Sequence, residues 1–166
     1  MTSETQQKFS LPHSDSVLEA VKEVFTMTCG TEATLSDADL SDKMLDGVVI
    51  AVISIVGDVN WSVFLGLPRS TSEQLAKSFC GFDVEFESDD MGDVVGELTN
   101  ILAGTCKQIL DKRGVDVEIS LPSVMRVEGI EILVQRESTS RKLFFESSVG
   151  CFWAGVVSGK NPGFVA

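Results

Sequence analysis

Positive charge is scarce in this 166-residue chain: 13 Lys and Arg stand against 25 Asp and Glu, a formal net charge of -12. A surface of that sign repels a phosphate backbone, so neither DNA nor RNA is an expected partner. Metal-ligand spacing is lacking too. Cys29, Cys80, Cys106 and Cys151 lie far apart, no C-x-x-C pair occurs, and His13 is the sole histidine. The cysteines therefore read as reduced, packed thiols rather than zinc ligands. The opening MTSETQQKFS has no basic stretch leading into an apolar one, so no signal peptide is expected and the expected compartment is the cytoplasm. No apolar run is long enough for a membrane helix; the longest is Gly47 to Gly57, so no membrane partner is expected. Linkers, low-complexity tracts and charge blocks are missing as well. The expectation is one domain over residues 14–160, with a flexible leader at 1–13 and a tail at 161–166.

What is present is periodicity. DSVLEAVKEVFTMTCG places Val17, Leu18, Val21, Val24 and Phe25 on one helical face, with Ser14 or Asp15 as cap and Gly30 as stop. GVVIAVISIVG is rich in β-branched residues and predicts a buried strand. Gly57-Asp58 supplies a turn, WSVFLGLP a second strand, and Pro68 the end of a hairpin over 47–67. In STSEQLAKSFCG, Ser70 or Thr71 with Glu73 makes a capping-box pattern opening a short second helix that ends near Gly81. Ser88, Asp89 or Asp90 then caps a third and longest helix, which ends near Gly114. Beyond it VDVEISLPSV, RVEGIEILVQRE, RKLFFESS and GCFWAGVVSG read as strands of an antiparallel meander. The fold class is α+β.

The third helix carries glycines that work against it. Gly92, Gly96 and Gly104 sit in or beside its span, and an interior helix glycine costs about 1 kcal/mol relative to alanine. On a helical wheel Val94, Val95, Leu98, Ile101, Leu102, Thr105, Cys106 and Ile109 form a core-facing stripe. Opposite, Asp93, Glu97, Asn100 and Gly104 follow one another at spacings of four, three and four along a solvent-facing strip, with Gly96 on its flank. Bare helix backbone lets another molecule approach the two polar side chains. Taken alone, the same pattern fits an ordinary solvated face, with glycines serving close packing. The acids of FDVEFESDD read as a solvated edge and a cap, His13 as a surface residue, and Trp61 and Trp153 as buried in strands.

GDVVGELTNILAGTCKQIL, together with ISLPSVMRVEG, resembles the CheX branch of the CheC/CheX/FliY family of chemotaxis phosphatases. The likeness covers most of the chain, roughly Ser14 to Ser158, and implies a CheC-like α+β fold. The E-x-x-N signature of that family falls on Glu97 and Asn100, its preceding acidic or serine position on Asp93, and Gly104 and Pro122 also fit. The first helix reads LEAVK, with Lys22 where a second motif would need asparagine, so one site per chain is implied. The resemblance implies hydrolysis of the aspartyl phosphate of a CheY-type response regulator. Asn100 would position water and Glu97 would pair with a lysine of the regulator, while Asp93, Gly96 and Gly104 would meet the partner. It implies no cofactor of this chain's own, the magnesium being supplied by the regulator, and a homodimer. The alternative is a non-catalytic module of the same fold that docks a receiver domain or a flagellar motor component.

Overall fold

A computed structural model describes residues 11–128 and 139–159. The first helix, α1 (Asp15–Cys29), buries Val17, Val21, Val24 and Phe25 and is closed by Gly30 in the left-handed region at φ 62°. Leu18 sits at the margin of that face, half-buried. Ser14 stands at the N-cap but makes no capping bond. Its hydroxyl instead accepts from Arg141 Nη1 at 3.2 Å, a tertiary donor taking the place of the helix amides.

A three-residue strand β1 (Thr34–Ser36) and a 3-10 turn (Ser41–Met44) lead into the expected hairpin, β2 (Val48–Gly57) and β3 (Asn60–Pro68). Its register runs from Val48 opposite Pro68 to Val56 opposite Asn60. The apolar start of β2, Val48 to Ala51, has a simple cause, since both of its faces are covered there. Val49, Ala51, Ile53 and Ile55 join the main core under the helices, while Val48 and Ile50 join Trp153 in a second cluster on the far side. α2 (Arg69–Cys80) follows at once, with Pro68 at its N-cap. The capping box is not formed: Glu73 Oε1 accepts from the amide of Phe86 at 3.0 Å and so ties down the segment leading to the next helix.

α3 (Asp89–Lys112) is the longest helix at 24 residues, and it lies against α1, α2 and β2. Ser88 holds the extended N-cap conformation, yet its hydroxyl donates to Glu85 O at 2.8 Å instead of capping. Of the expected core stripe, Val95, Leu98, Leu102, Cys106 and Ile109 are buried, Val94 and Ile101 are half-buried against the core, and Thr105 is half-buried. Thr99 is buried although polar, because its hydroxyl donates to Val95 O at 2.7 Å within the helix. Arg113, just past the end, donates to Asp15 Oδ1 at 2.9 Å and Glu19 Oε2 at 3.1 Å, fastening α3 to α1. That guanidinium holds the Asp15 carboxyl below its ordinary range.

The C-terminal strands are β4 (Val117–Ile119), β5 (Ser123–Val127), β6 (Thr139–Ser147) and β7 (Gly150–Ser158). They do not form the expected meander. The sheet order is β1-β6-β7-β3-β2-β4, with β5 also on β2. β4 pairs with Ile55–Gly57 and β5 with Val48–Val52, so one edge of β2 is lined by two short strands in succession. Pro122 lies between them and has no N–H to give to a ladder, which is why the edge is interrupted there. β6 and β7 then pair on the other side of the hairpin, β7 against β3. Only the part of RVEGIEILVQRE up to Glu128 lies in the described residues, and residues 129–138 fall outside them. The α+β class stands, with the three helices packed on a largely antiparallel sheet.

Candidate functional site

Helical geometry alone brings Asp93, Glu97, Asn100 and Gly104 to one strip of α3. Asp93 and Glu97 are exposed, and Asn100 and Gly104 half-buried. Among the described residues, none gives the side chains of Asp93, Glu97 or Asn100 a hydrogen bond or ion pair. Charges further along are tied to the fold: Lys107 meets Glu118 of β4 at 3.1 Å, and Arg113 meets α1. The strip is thus a patch of polar side chains left to solvent on a rigid helix, and its chemistry is that of a carboxylate and a carboxamide one turn apart.

The two glycines at this surface differ. A Cβ at Gly104 would meet nothing within 4 Å among the described residues, so they leave bare helix backbone open there. Gly96 is buried, and a Cβ would stand 3.6 Å from Val124 Cγ2 and 4.0 Å from Pro122 Cγ. The expectation that Gly96 offers open surface is corrected: the edge strand covers it, at a distance that a Cβ would fill with ordinary van der Waals contact. Pattern could not tell these cases apart, because what fills the space beside Gly96 lies more than twenty residues away in the chain.

The edge strand runs alongside the site. Glu118 of β4 meets Lys107, whereas Pro122 and Val124 stand over Gly96. Strand and helix therefore run antiparallel, and the segment between the two contacts lies along the stretch of α3 from Gly96 to Lys107, which includes Asn100. The start of α3 is held from the same edge. Arg126 of β5 donates to Ser88 O at 2.6 Å, and its guanidinium lies 5.5 Å from the Phe86 ring, which Arg69 also overlies at 4.0 Å. This arginine–phenylalanine support was not read from the sequence, and no periodic signal announces it.

Other candidates hold nothing together. Among the described residues no group of three or more His, Cys, Asp or Glu could hold a metal ion. In FDVEFESDD, Asp83 pairs with Lys77 at 2.9 Å and Glu87 with Arg69 at 2.8 Å. His13 is exposed. Trp61 and Trp153 are buried. The four cysteines are free, and burial raises the thiol pKa of Cys29 and Cys106, which makes them poor nucleophiles. No helix among the described residues is long and apolar enough to cross a membrane.

No curated protein matches the sequence. Solved structures match its fold. Chemotaxis protein CheX from Vibrio vulnificus superposes with a TM-score of 0.76 at 21% identity, covering 88% of this chain and 98% of that one. A CheC-like superfamily protein from Shewanella gives 0.74 at 19%, covering 89% and 97%. CheX from Borrelia burgdorferi, solved in complex with CheY, BeF3 and Mg2+, gives 0.68 at 15%, covering 90% and 98%. The fold is therefore CheC-like, an antiparallel sheet with packed helices. The family profile described as chemotaxis phosphatase CheX matches residues 49–146, more than half of the chain and the whole of α3 with its edge strands, and this protein belongs to that CheX family.

Proposed function

We propose that this protein is a phosphatase that hydrolyses the aspartyl phosphate of a CheY-type response regulator. The observation that carries the reading is the strip itself: in a CheX-family chain, Glu97 and Asn100 stand one turn apart on α3 with no partner among the described residues. The Borrelia relative adds support, since beryllium fluoride bound to a carboxylate mimics an aspartyl phosphate. An acyl phosphate is already reactive, and a receiver's own divalent metal steadies the departing carboxylate, so the missing element is water held in line with phosphorus. The Asn100 carboxamide accepts a hydrogen bond from that water and aims its oxygen. Glu97 pairs with a cationic side chain of the receiver and fixes the helix over the phosphorylated carboxylate. Asp93, one turn earlier, adds negative charge on the same side, where the helix dipole favours it. No metal of this chain's own takes part.

The test is release of inorganic phosphate from phosphorylated CheY-type receivers of the same organism, measured against spontaneous decay. Release above decay upholds the enzyme; tight docking without release leaves the non-catalytic module. The same reading includes a homodimer pairing sheets across a two-fold axis, which would shield strand edges from aggregation. Light scattering at tens of micromolar should read twice the 17.9 kDa chain mass, and a monomer mass refutes that part.

Gly104 provides a check on the docking face. Gly104→Leu should raise stability by about 0.5–1 kcal/mol, since leucine is the better helix former and a Cβ there meets no described residue within 4 Å. The thermal midpoint should then rise by roughly 1–4 °C. The rate should fall, because the leucine leans toward the helix N-terminus, over the turn holding Asn100. A stabilised variant with the parent's rate would show that the receiver does not approach this strip.

A further inference from the structure

Leu121 is left 85% exposed, more than any other large apolar side chain among the described residues. A single exposed leucine is ordinary. This one is held in place. Ser120 N donates to Ser54 O at 2.9 Å, Ser120 Oγ accepts from Ser54 N at 2.9 Å, and the same hydroxyl donates to Leu121 O at 2.9 Å. On its other side Pro122 restricts the backbone of Leu121 and rests against Gly96. The residue before the bend, Ile119, packs on the core, so the chain turns outward at Leu121. Its place along the helix is bracketed as well. Glu118 meets Lys107 and Pro122 lies near Gly96, so Leu121 falls along the stretch of α3 between Gly96 and Lys107, which includes Asn100.

We infer that Leu121 is an apolar anchor of the receiver-docking face, seated beside the Glu97–Asn100 strip and covered when the receiver's phosphorylated carboxylate reaches Asn100. The inference rests on the proposed receiver reading and adds to it a residue that sets affinity and partner choice without touching the reacting atoms. A polar strip alone binds weakly and with little selectivity, because its charges stay solvated. An apolar side chain on a backbone already held in place supplies non-polar burial with little backbone ordering cost, as interface hot spots do. The matching receiver surface should therefore carry an apolar depression next to its phosphorylation pocket. Gly96 lies under the same edge, where a Cβ would come into ordinary contact with Val124 and Pro122.

The experiment uses the full chain, its Leu121→Ala and Leu121→Met variants, and the CheY-type receivers of the same organism. Each receiver is supplied both as the magnesium–beryllium fluoride form, for binding, and as the phosphorylated form, for phosphate release. Leu121→Ala should raise Kd and KM about tenfold, the scale of one buried side chain. Its kcat should stay within about twofold and its thermal midpoint should hold, while Leu121→Met should recover most of the affinity. An unchanged Kd and KM for Leu121→Ala, in a parent that hydrolyses phosphoreceiver, overturns the anchor and leaves the phosphatase standing. A Leu121-sensitive Kd in a parent that releases no phosphate does the reverse. Binding to no receiver overturns both. A variant whose particle mass falls in light scattering assigns Leu121 to a contact between copies of this chain and overturns the anchor.

Discussion

Asn100→Ala should bring phosphate release from a phosphorylated receiver down to the rate of spontaneous decay, a loss of at least about 100-fold if water placement is what the chain supplies. The substitution removes a carboxamide that bonds to no described residue, on a helix face where alanine is the better helix former. Folding stability should therefore move by less than about 0.5 kcal/mol. Binding of the beryllium fluoride receiver should persist, because the water-aiming group is not the docking group. Glu97→Ala should show the opposite split, with weaker docking and a smaller effect on turnover once bound. Glu97→Lys should weaken docking further by setting like charges against each other. Single-turnover release at saturating enzyme separates the two residues. The parent's rate in Asn100→Ala would end the water-positioning mechanism whatever else the protein does.

Gly66→Ala should lower stability more than any surface change, by about 1–3 kcal/mol or more, with the thermal midpoint falling on the order of 5–10 °C. Ile50, Gly66 and Trp153 stand in one row across β2, β3 and β7. The Trp153 indole lies over Gly66, so a methyl group there would collide with its Nε1, Cε2 and Cζ2 atoms. The ring is fully buried beside Val48 and Ile50, with Phe64 stacked at 6.4 Å and Lys142 Nζ at 4.8 Å, and has little room to retreat. Among the described residues Trp153 Nε1 has no hydrogen-bond partner, so the position rests on shape and apolar contact. Combining Gly66→Ala with Trp153→Leu should recover part of the loss, as residues in direct contact couple. A Gly66→Ala variant that melts with the parent would mean that the indole lies elsewhere. The site on α3 is on the opposite layer, so folded Gly66→Ala protein should keep its affinity for a receiver.

What this sequence determined by itself is local. The spacing of Val17, Val21, Val24 and Phe25 makes α1, the β-branched run and the Gly57-Asp58 turn make the hairpin, and the wheel of α3 sets Asp93, Glu97, Asn100 and Gly104 on one side. Each follows from the geometry of a few consecutive residues, which no distant partner can alter without breaking the element. The tertiary structure decided whatever depended on a distant partner. Ser14 and Glu73 were suited to cap helices, yet Arg141 and the Phe86 amide, brought near by folding, took them instead. The last strands carry no mark saying which neighbour they pair with, so their placement on β2 and β3 depends on the assembled sheet. The same holds for the site's surroundings. Gly96 and Gly104 are alike in sequence and eight residues apart on one helix, but Pro122 and Val124 arrive beside the first and no described residue arrives beside the second. Open helix surface is a statement about what the rest of the chain leaves uncovered, and that is settled only once the edge strand has packed.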